Sequence, residues 1–385
     1  MDDLDDTARA PIAPQAACAG PLVVDLDGSL IRTDTTVENL LALARHPFLL
    51  LRALFAWRHG RARLKRELAA AAEFDPAALP YNAELLTYLR EQHARGRVLV
   101  LATGADRSTA KAVARHLGLF DLVLASNGQI NLTGGAKLTA IRECIGDVPF
   151  TYVGNSRTDL GVWTGAAGAI CVDVGKRVAP AVAKATTIER SFISTDRGAC
   201  ALLGALQPQR WVENLLVFVP LVAAWTIADL PGWGAAGVIF LAFCLTASGV
   251  YLAADLCHLA ADRRHPGKSR RPFASGALPP QWGLAAAPVL LLLGMSVGAA
   301  TGALSLLLIY AACSLAYSLW LKSQPLVGVL LLAALYELRI LAAGEATGYP
   351  ASVGLLTLSG LLFLALAIVK HHPRRPGEPG GWLRH

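Results

Sequence analysis

Charge is scarce in this chain: only 16% of its 385 residues are Asp, Glu, Lys or Arg, against 54% hydrophobic residues. Soluble globular chains carry about a quarter charged residues. The shortage excludes a disordered chain, a nucleic-acid-binding tail protein and a wholly soluble enzyme, and no nucleic-acid partner is expected. Paired cysteines are missing as well. Cys18, Cys144, Cys171, Cys200, Cys244, Cys257 and Cys313 are scattered, and none forms a C-x-x-C pair. That argues against a disulfide framework or a zinc site and fits a reducing compartment. The first twenty residues lack the basic and apolar regions of a signal peptide, and 1–20 reads as a disordered N-terminus. Positive charge is in excess, with 35 basic residues against 28 acidic ones, a net +7. In a membrane protein such an excess is more often a topology signal than a nucleic-acid footprint.

The scarcity is uneven. Residues 1–200 hold most of the charge, and residues 211–370 hold long apolar runs. In the first half, short β-rich runs alternate with helical stretches such as 82–95 and 107–118. The runs are Leu22-Val23-Val24, Val98–Ala102, Leu122–Ala125, Phe150–Val153 and Ala169–Val172. That alternation predicts a parallel sheet over residues 21–200. Polar residues cluster where these strands end, which is where open α/β sheets bind ligands.

The strongest chemical motif follows the first run: Asp25-Leu26-Asp27-Gly28-Ser29. Two carboxylates two residues apart, just past a strand end, can divide their roles. One attacks phosphorus while the other donates and accepts the proton, and both can help hold Mg²⁺, which prefers oxygen ligands. Thr103 ends the next strand and can hydrogen-bond a phosphoryl oxygen. Lys137 can offset charge between phosphate and carboxylate, and Asp159 can complete a metal site.

In these motifs residues 20–175 resemble the haloacid dehalogenase superfamily of phosphatases and phosphotransferases. Asp25–Ser29 match its first motif, Thr103 its second, Lys137 its third and Gly154–Asp159 its fourth. Asn155 stands where that family commonly has an Asp. The resemblance implies an α/β haloacid dehalogenase-like domain with a Rossmann-like parallel sheet. The helical, basic stretch 45–70 is either a small helical cap or a surface helix lying on the membrane.

The second half reads as six apolar segments, about 212–230, 235–257, 284–300, 303–321, 326–343 and 353–369. Each is near the ~20 residues that cross a ~30 Å hydrocarbon core. Arg263, Arg264, Lys268, Arg270, Arg271, Lys322, Lys370, Arg374 and Arg375 all fall in loops on one side. The opposite loops carry Asp229 and Glu345. The positive-inside rule then predicts a multi-pass protein of the cell (inner) membrane with its N-terminal domain and C-terminus cytoplasmic. The loop after the second segment carries Asp255 and Asp262, seven residues apart. A continuous helix would place them on one face, two turns apart, where carboxylates can hold Mg²⁺ and the Mg²⁺ a diphosphate. Lys268, Arg270 and Arg271 can bind phosphate oxygens directly.

Residues 207–370 resemble the UbiA-type intramembrane prenyltransferases, and within them the polyprenyl-phosphate phosphoribosyltransferases. The matching residues are Gln209–Asn214, Asp262-Arg263-Arg264-His265-Pro266 with Lys268, Arg271-Pro272 through Gly276, Tyr317–Lys322, and Tyr336 with Arg339. The departures are Ala254 and His258, where that family has Asn and Asp, and Gly328, where it expects an acid. The family also usually has more than six segments. The resemblance implies an all-α transmembrane helical bundle over 207–372 with a tail at 373–385. Asp255 and Asp262 would hold Mg²⁺, and Arg263, Lys268, Arg271, Lys322 and Arg339 would bind substrate. The expected activity is transfer of a prenyl or phosphoribosyl group to or from a polyprenyl phosphate, beside the fused phosphatase-like domain. The partners implied are a prenyl phosphate or diphosphate lipid, a small polar acceptor or donor, and the bilayer. The alternative is a membrane-anchored phosphatase whose bundle binds prenyl lipid without catalysis. Glu337 and Arg339 are the ionisable residues of the fifth segment, and such residues inside a membrane are costly and usually functional.

Overall fold

A computed structural model describes residues 20–194, 198–226, 228–321 and 324–371. The expected N-terminus 1–20 (but for Gly20) and the tail 373–385 lie outside these ranges, as does Lys322. Contacts divide the chain into two units. The first is Met1–Ala201 with Cys257–Gln281; the second is Leu202–Leu256 with Trp282–His385. The segment Cys257–Gln281, expected above as a loop of the membrane domain, therefore joins the first unit.

The first unit is built on six strands: β1 (Leu22–Val24), β2 (Leu99–Asp106), β3 (Leu122–Ser126), β4 (Thr151–Gly154), β5 (Gly168–Val172) and β6 (Thr187–Phe192). They form one parallel sheet in the order β3-β2-β1-β4-β5-β6. Parallel strands buried on both faces need apolar residues on both, and β1 obliges with three fully buried residues. Successive side chains point to opposite faces. Leu22 and Val24 pack with Leu99, Leu101, Leu85, Leu89, Ala110 and Val113 on one side. Val23 packs with Val100, Ala102, Ile141, Val162 and Trp163 on the other.

The helices of this unit are α1 (Thr35–Ala42), α2 (Pro47–Phe55), α3 (Arg61–Ala71), α4 (Ala83–Ala94), α5 (Arg107–Leu117), α6 (Gly135–Ile145), α7 (Leu160–Trp163), α8 (Ala179–Ala185) and α9 (Ala199–Leu206), whose last turn opens the second unit. Helices α1–α3 share a small core of Leu43, Ala53 and Leu68, with Leu50 and Leu64 packed on it. The chain runs from β1 outward to β2 and β3, then returns to β4 on β1's other side. That reversal puts a crevice at the carboxyl end of β1, the place where open α/β sheets bind ligands.

The second unit contains α10 (Val219–Ala223), α11 (Leu230–Cys257), α13 (Pro280–Ala300), α14 (Leu304–Leu319), α15 (Pro325–Thr347) and α16 (Val353–His371). Here α12 denotes Leu259–Arg264 of the first unit, and α13 begins two residues before the boundary. Among the described residues three helices, α11, α13 and Leu326–Thr347 of α15, are long and apolar enough to cross a membrane; Leu304–Leu319 and Val353–Leu366 are shorter apolar helices. The chain is thus a multi-pass membrane protein. The first expected segment, 212–230, is not one span. It divides into a tight 3-10 helix (Pro208–Phe218) and the short α10. The polar Glu213 and Asn214 in it are spent on a buried arginine rather than on a lipid-facing helix. Close helix packing needs small residues. A Cβ on Gly294 of α13 would lie 2.3 Å from Thr246 Oγ1 of α11.

Candidate active sites

In the first unit the Asp-x-Asp motif leaves β1 and turns at Gly28. Its φ is +77°, and a Cβ there would meet Asn155 Nδ2 at 2.1 Å, so only glycine lets the turn close against the β4 loop. Asp25 Oδ1 accepts from Lys137 Nζ at 2.8 Å. The same ammonium donates to Tyr152 Oη at 2.9 Å, and Tyr152 donates to Asp159 Oδ1 at 2.8 Å. Lys137 Nζ also lies 3.6 Å from that Asp159 oxygen. The other Asp159 oxygen accepts from the amides of Asn155 and Ser156 and from Ser156 Oγ. All four side chains are buried. Sequence reasoning placed Asp25, Lys137 and Asp159 at one site, and the structure brings them together. It missed Tyr152, whose one sign was a phenol within the apolar run of β4.

Asp27 is held differently. Its two oxygens accept from the backbone amide and the hydroxyl of Thr35, at 2.9 and 3.2 Å. Thr35 is the first residue of α1, whose N-cap Asp34 accepts from Thr36 and Val37 amides. Burial is the main cause that pushes Asp27 up to about 8, with the Asp34 charge adding to it. Burial also raises Asp25, to about 6, with Lys137 opposing and Asp159 adding. Burial alone would lower Lys137, but Asp25 and Asp159 outweigh it and hold the ammonium above its ordinary value. At neutral pH the site thus offers an ionised Asp25 beside a protonated Asp27.

The cavity here has a volume of about 320 Å³. It is lined by Asp25, Asp27, Lys137, Asn155 and Asp159, with Lys65 from α3 and Pro279 and Gln281 from the late segment. Lys65 Nζ donates to the Gly104 carbonyl at 2.6 Å and to Asn131 Oδ1 at 3.2 Å. Sequence reasoning did not single it out. Thr103, expected to end its strand, lies fully buried within β2, which runs on to Asp106 after a register shift; its hydroxyl accepts from the Ala105 amide at 3.0 Å, and it is not among the residues that line the cavity.

The late segment clasps α1. Arg263 donates two bonds of 2.8 Å, one to each carboxylate oxygen of Glu38. Glu38 in turn accepts from Thr33. Arg264 reaches Asp75 at 2.7 Å. Asp262 is buried and accepts from Arg271 at 2.8 Å, with Lys268 3.8 Å away. Lys268 and Arg271 are therefore placed on Asp262, and Arg263 on Glu38. The expected continuous helix through Asp255 and Asp262 is not present. Helix α11 ends at Cys257, His258 leaves helical geometry at φ −101°, ψ 6°, and α12 starts at Leu259. Asp255 and Asp262 therefore lie on separate helices, and the two residues belong to different units. Asp255 accepts from Gln207 Nε2 at 3.0 Å.

Inside the second unit Arg339 is buried. Nε donates to Asn214 Oδ1 at 2.9 Å, one terminal nitrogen to Tyr310 Oη at 3.1 Å, and the other to the Leu335 carbonyl. Glu213 Oε2 lies 3.6 Å away. The guanidinium also sits over the rings of Tyr310, Tyr336 and Phe243, at 4.8, 5.5 and 5.9 Å from their centroids. Cation–π attraction of this kind helps to stabilise a desolvated cation. Glu337, two residues earlier, accepts from Ser359.

Comparison with known proteins finds two family models. UbiA prenyltransferase family matches residues 215–378, and haloacid dehalogenase-like hydrolase matches residues 22–162. The chain is 35% identical over 357 residues to the uncharacterized protein y4nM of Sinorhizobium fredii, covering 91% of this chain and 69% of that one. It is 35% identical over 185 residues to the nodulation protein NoeC of Azorhizobium caulinodans, covering 46% of this chain and 59% of that one. It is 35% identical over 181 residues to the decaprenyl-phosphate phosphoribosyltransferase of Corynebacterium glutamicum, covering 43% of this chain. It spans 53% of that relative's length.

Proposed function

Since the chain belongs to the UbiA prenyltransferase family and carries a haloacid dehalogenase-like hydrolase domain, we propose that it couples a transferase to a phosphatase. The second unit moves a phosphoribosyl or prenyl group to or from a polyprenyl phosphate. The first unit hydrolyses a phosphate monoester. A phosphoribosyl group placed on a lipid would carry such a monoester, so the product of one unit has the chemistry the other handles. The protein is proposed to lie in the cell membrane with its first unit and C-terminus in the cytoplasm, a reading supported by the basic loops.

The observation that carries the phosphatase reading is the Asp25–Lys137–Tyr152–Asp159 chain beside a separately held Asp27. An Asp25 oxygen attacks phosphorus, and the bond from phosphorus to the ester oxygen breaks. Asp27 gives its proton to the departing alkoxide. Asp27 then takes a proton from water, whose oxygen attacks the aspartyl phosphate; the bond to Asp25 breaks and phosphate leaves. Lys137 keeps Asp25 ionised and oriented.

The donor set fits Mg²⁺. Asp25, Asp27 and Asp159 line one cavity; burial lifts Asp25, and the Asp159 charge adds to it, so a cation there would favour the ionised form. Among the described residues no three His, Cys, Asp or Glu side chains converge as a metal cluster. The ion would therefore rest on Asp25 and Asp159 with water, the sparse protein ligation Mg²⁺ commonly has. When bound, it would supply charge neutralisation for the incoming phosphoryl group.

The second reading, a membrane-anchored phosphatase with a lipid-binding bundle, is favoured by one observation. Asp255 and Asp262 lie on separate helices, and Asp262 is already paired with Arg271. Full-length protein in lipid nanodiscs, given polyprenyl phosphate and a labelled phosphoribosyl diphosphate donor, separates the readings. Label entering the lipid supports the first. Phosphate release from a soluble monoester with no label in lipid selects the second. Asp25→Asn is expected to leave the lipid product phosphorylated.

A further inference from the structure

The first unit has an outward surface that nothing above uses. Along α2 and the tight turn after it, Phe48 is 86% exposed, Leu51 65%, Phe55 61% and Trp57 61%. Leu49 and Leu54 are exposed beside them. The opposite side of the same helix is the one that packs, through Ala53 onto Leu43 and Leu68. Helix α2 is thus apolar on its inner and its outer sides. Contiguous exposed apolar surface of this kind marks an interaction site.

Charge names the partner. From Asn39 to Arg66 the chain has no Asp or Glu, and it carries Arg45, Arg52, Arg58, Arg61, Arg63, Lys65 and Arg66. Arg52, Arg58, Arg61, Arg63 and Arg66 are exposed, with Arg63 3.2 Å from Glu67 just beyond this stretch. Arg58 stacks on Phe55, its guanidinium carbon 4.1 Å from the ring centroid. A second copy docking on this face would set like charges against like charges. An anionic bilayer surface offers the complement to both features. Aliphatic and aromatic side chains enter the acyl boundary, an indole favours that boundary, and arginines reach back to the headgroups.

We propose that α2 and the turn Ala56–His59 lie in the interface of an anionic membrane, with Phe48, Leu51, Phe55 and Trp57 inserted. The bilayer is the partner at hand for a chain that carries its own spans. Membrane contact through this surface does not depend on which reaction either unit performs.

The test uses the full chain in nanodiscs of mixed phosphatidylglycerol and phosphatidylcholine. A photoreactive benzoylphenylalanine replaces Phe48 or, separately, Phe55; both are exposed, so the fold should tolerate them. A third protein carries it at Arg90, an exposed position of α4. The expected result is lipid adducts at 48 and 55, detected by mass, and tenfold fewer at 90. The yield at 48 should fall several-fold in purely neutral nanodiscs or with Arg52→Gln, Arg58→Gln and Arg61→Gln combined. Lipid adducts no more frequent at 48 and 55 than at 90 would overturn the proposal. So would adducts to a second copy of the chain, or a yield indifferent to lipid charge.

Discussion

Two buried cations, one in each unit, are held by similar contacts with a different charge balance. Lys137 has a carboxylate at 2.8 Å, a tyrosine at 2.9 Å and a second carboxylate at 3.6 Å. Arg339 has an amide oxygen at 2.9 Å, a tyrosine at 3.1 Å and a carboxylate at 3.6 Å. The lysine faces more acid than it can neutralise, with Asp25, Asp27 and Asp159 around one cavity. The arginine faces one partly exposed carboxylate and otherwise neutral groups. An anion approaching Lys137 meets surplus negative charge and is helped by a divalent cation. Around Arg339 the one carboxylate balances the one cation, and the remaining contacts are neutral.

Substitutions can break that contrast. The largest effect is expected from Asp25→Asn, which removes the attacking carboxylate. Phosphate release should fall by about 10⁴-fold or more, as losses of a nucleophile do, while lipid labelling continues. An initial-rate assay on the same preparation checks both numbers. Arg339→Leu comes next. It leaves the buried Asn214 oxygen and Tyr310 hydroxyl without that donor, at a cost of roughly 1–3 kcal/mol for each buried polar group left unsatisfied. Transfer should fall about 10²-fold or more, with Arg339→Lys recovering part of it. Phosphate release should be untouched; if both activities fell together, the two balances would not be independent.

Arg263→Ala is expected to lower the turnover of phosphate release about tenfold with little change in KM, because Glu38, α1 and Thr35 form the path from Arg263 to Asp27. The charge exchange Arg263→Glu with Glu38→Arg should restore most of it. The smallest effect concerns pH. Phosphate release should rise as Asp25 ionises near 6 and fall as Asp27 loses its proton near 8. Since the folded Asp27 holds its proton more tightly than an unfolded Asp does, stability falls as pH rises from about 4 to about 8. Asp27→Asn removes that loss and should raise the Tm by a few degrees at pH 8, while abolishing the bell's descending limb along with activity. Calorimetry at pH 5 and pH 8 checks the sign; a larger gain at pH 5 would contradict it.

Much of the first unit was legible because its signals are local. Fully apolar three- and five-residue runs read as buried parallel strands, and Asp25-x-Asp27 reads as a strand-end motif wherever the sheet places it. What the sequence concealed was long-range or a matter of single dihedrals. The Arg263–Glu38 clasp joins residues 225 apart, and no periodicity reports such a pairing. The helix break at His258 has no proline or glycine to announce it; Pro266 and Gly267 come later. The apolar run 212–230 satisfied a hydropathy criterion, but Glu213 and Asn214 are taken up by Arg339, over a hundred residues away. In Tyr152 a ring that fills the core also carries the hydroxyl that links lysine to aspartate, and composition shows only the first role.

The clasp also sets an order of assembly. The six strands are complete once Phe192 has been made, yet the arginine that secures α1 belongs to a segment synthesised only after Leu230–Cys257, a membrane-crossing helix. Domains that fold during synthesis usually finish in the order they emerge. Here the earlier domain has to wait for a later stretch of chain, so its last contacts close only after a hydrophobic helix has been handed to the bilayer. Failed insertion would then leave the catalytic-looking half unfinished.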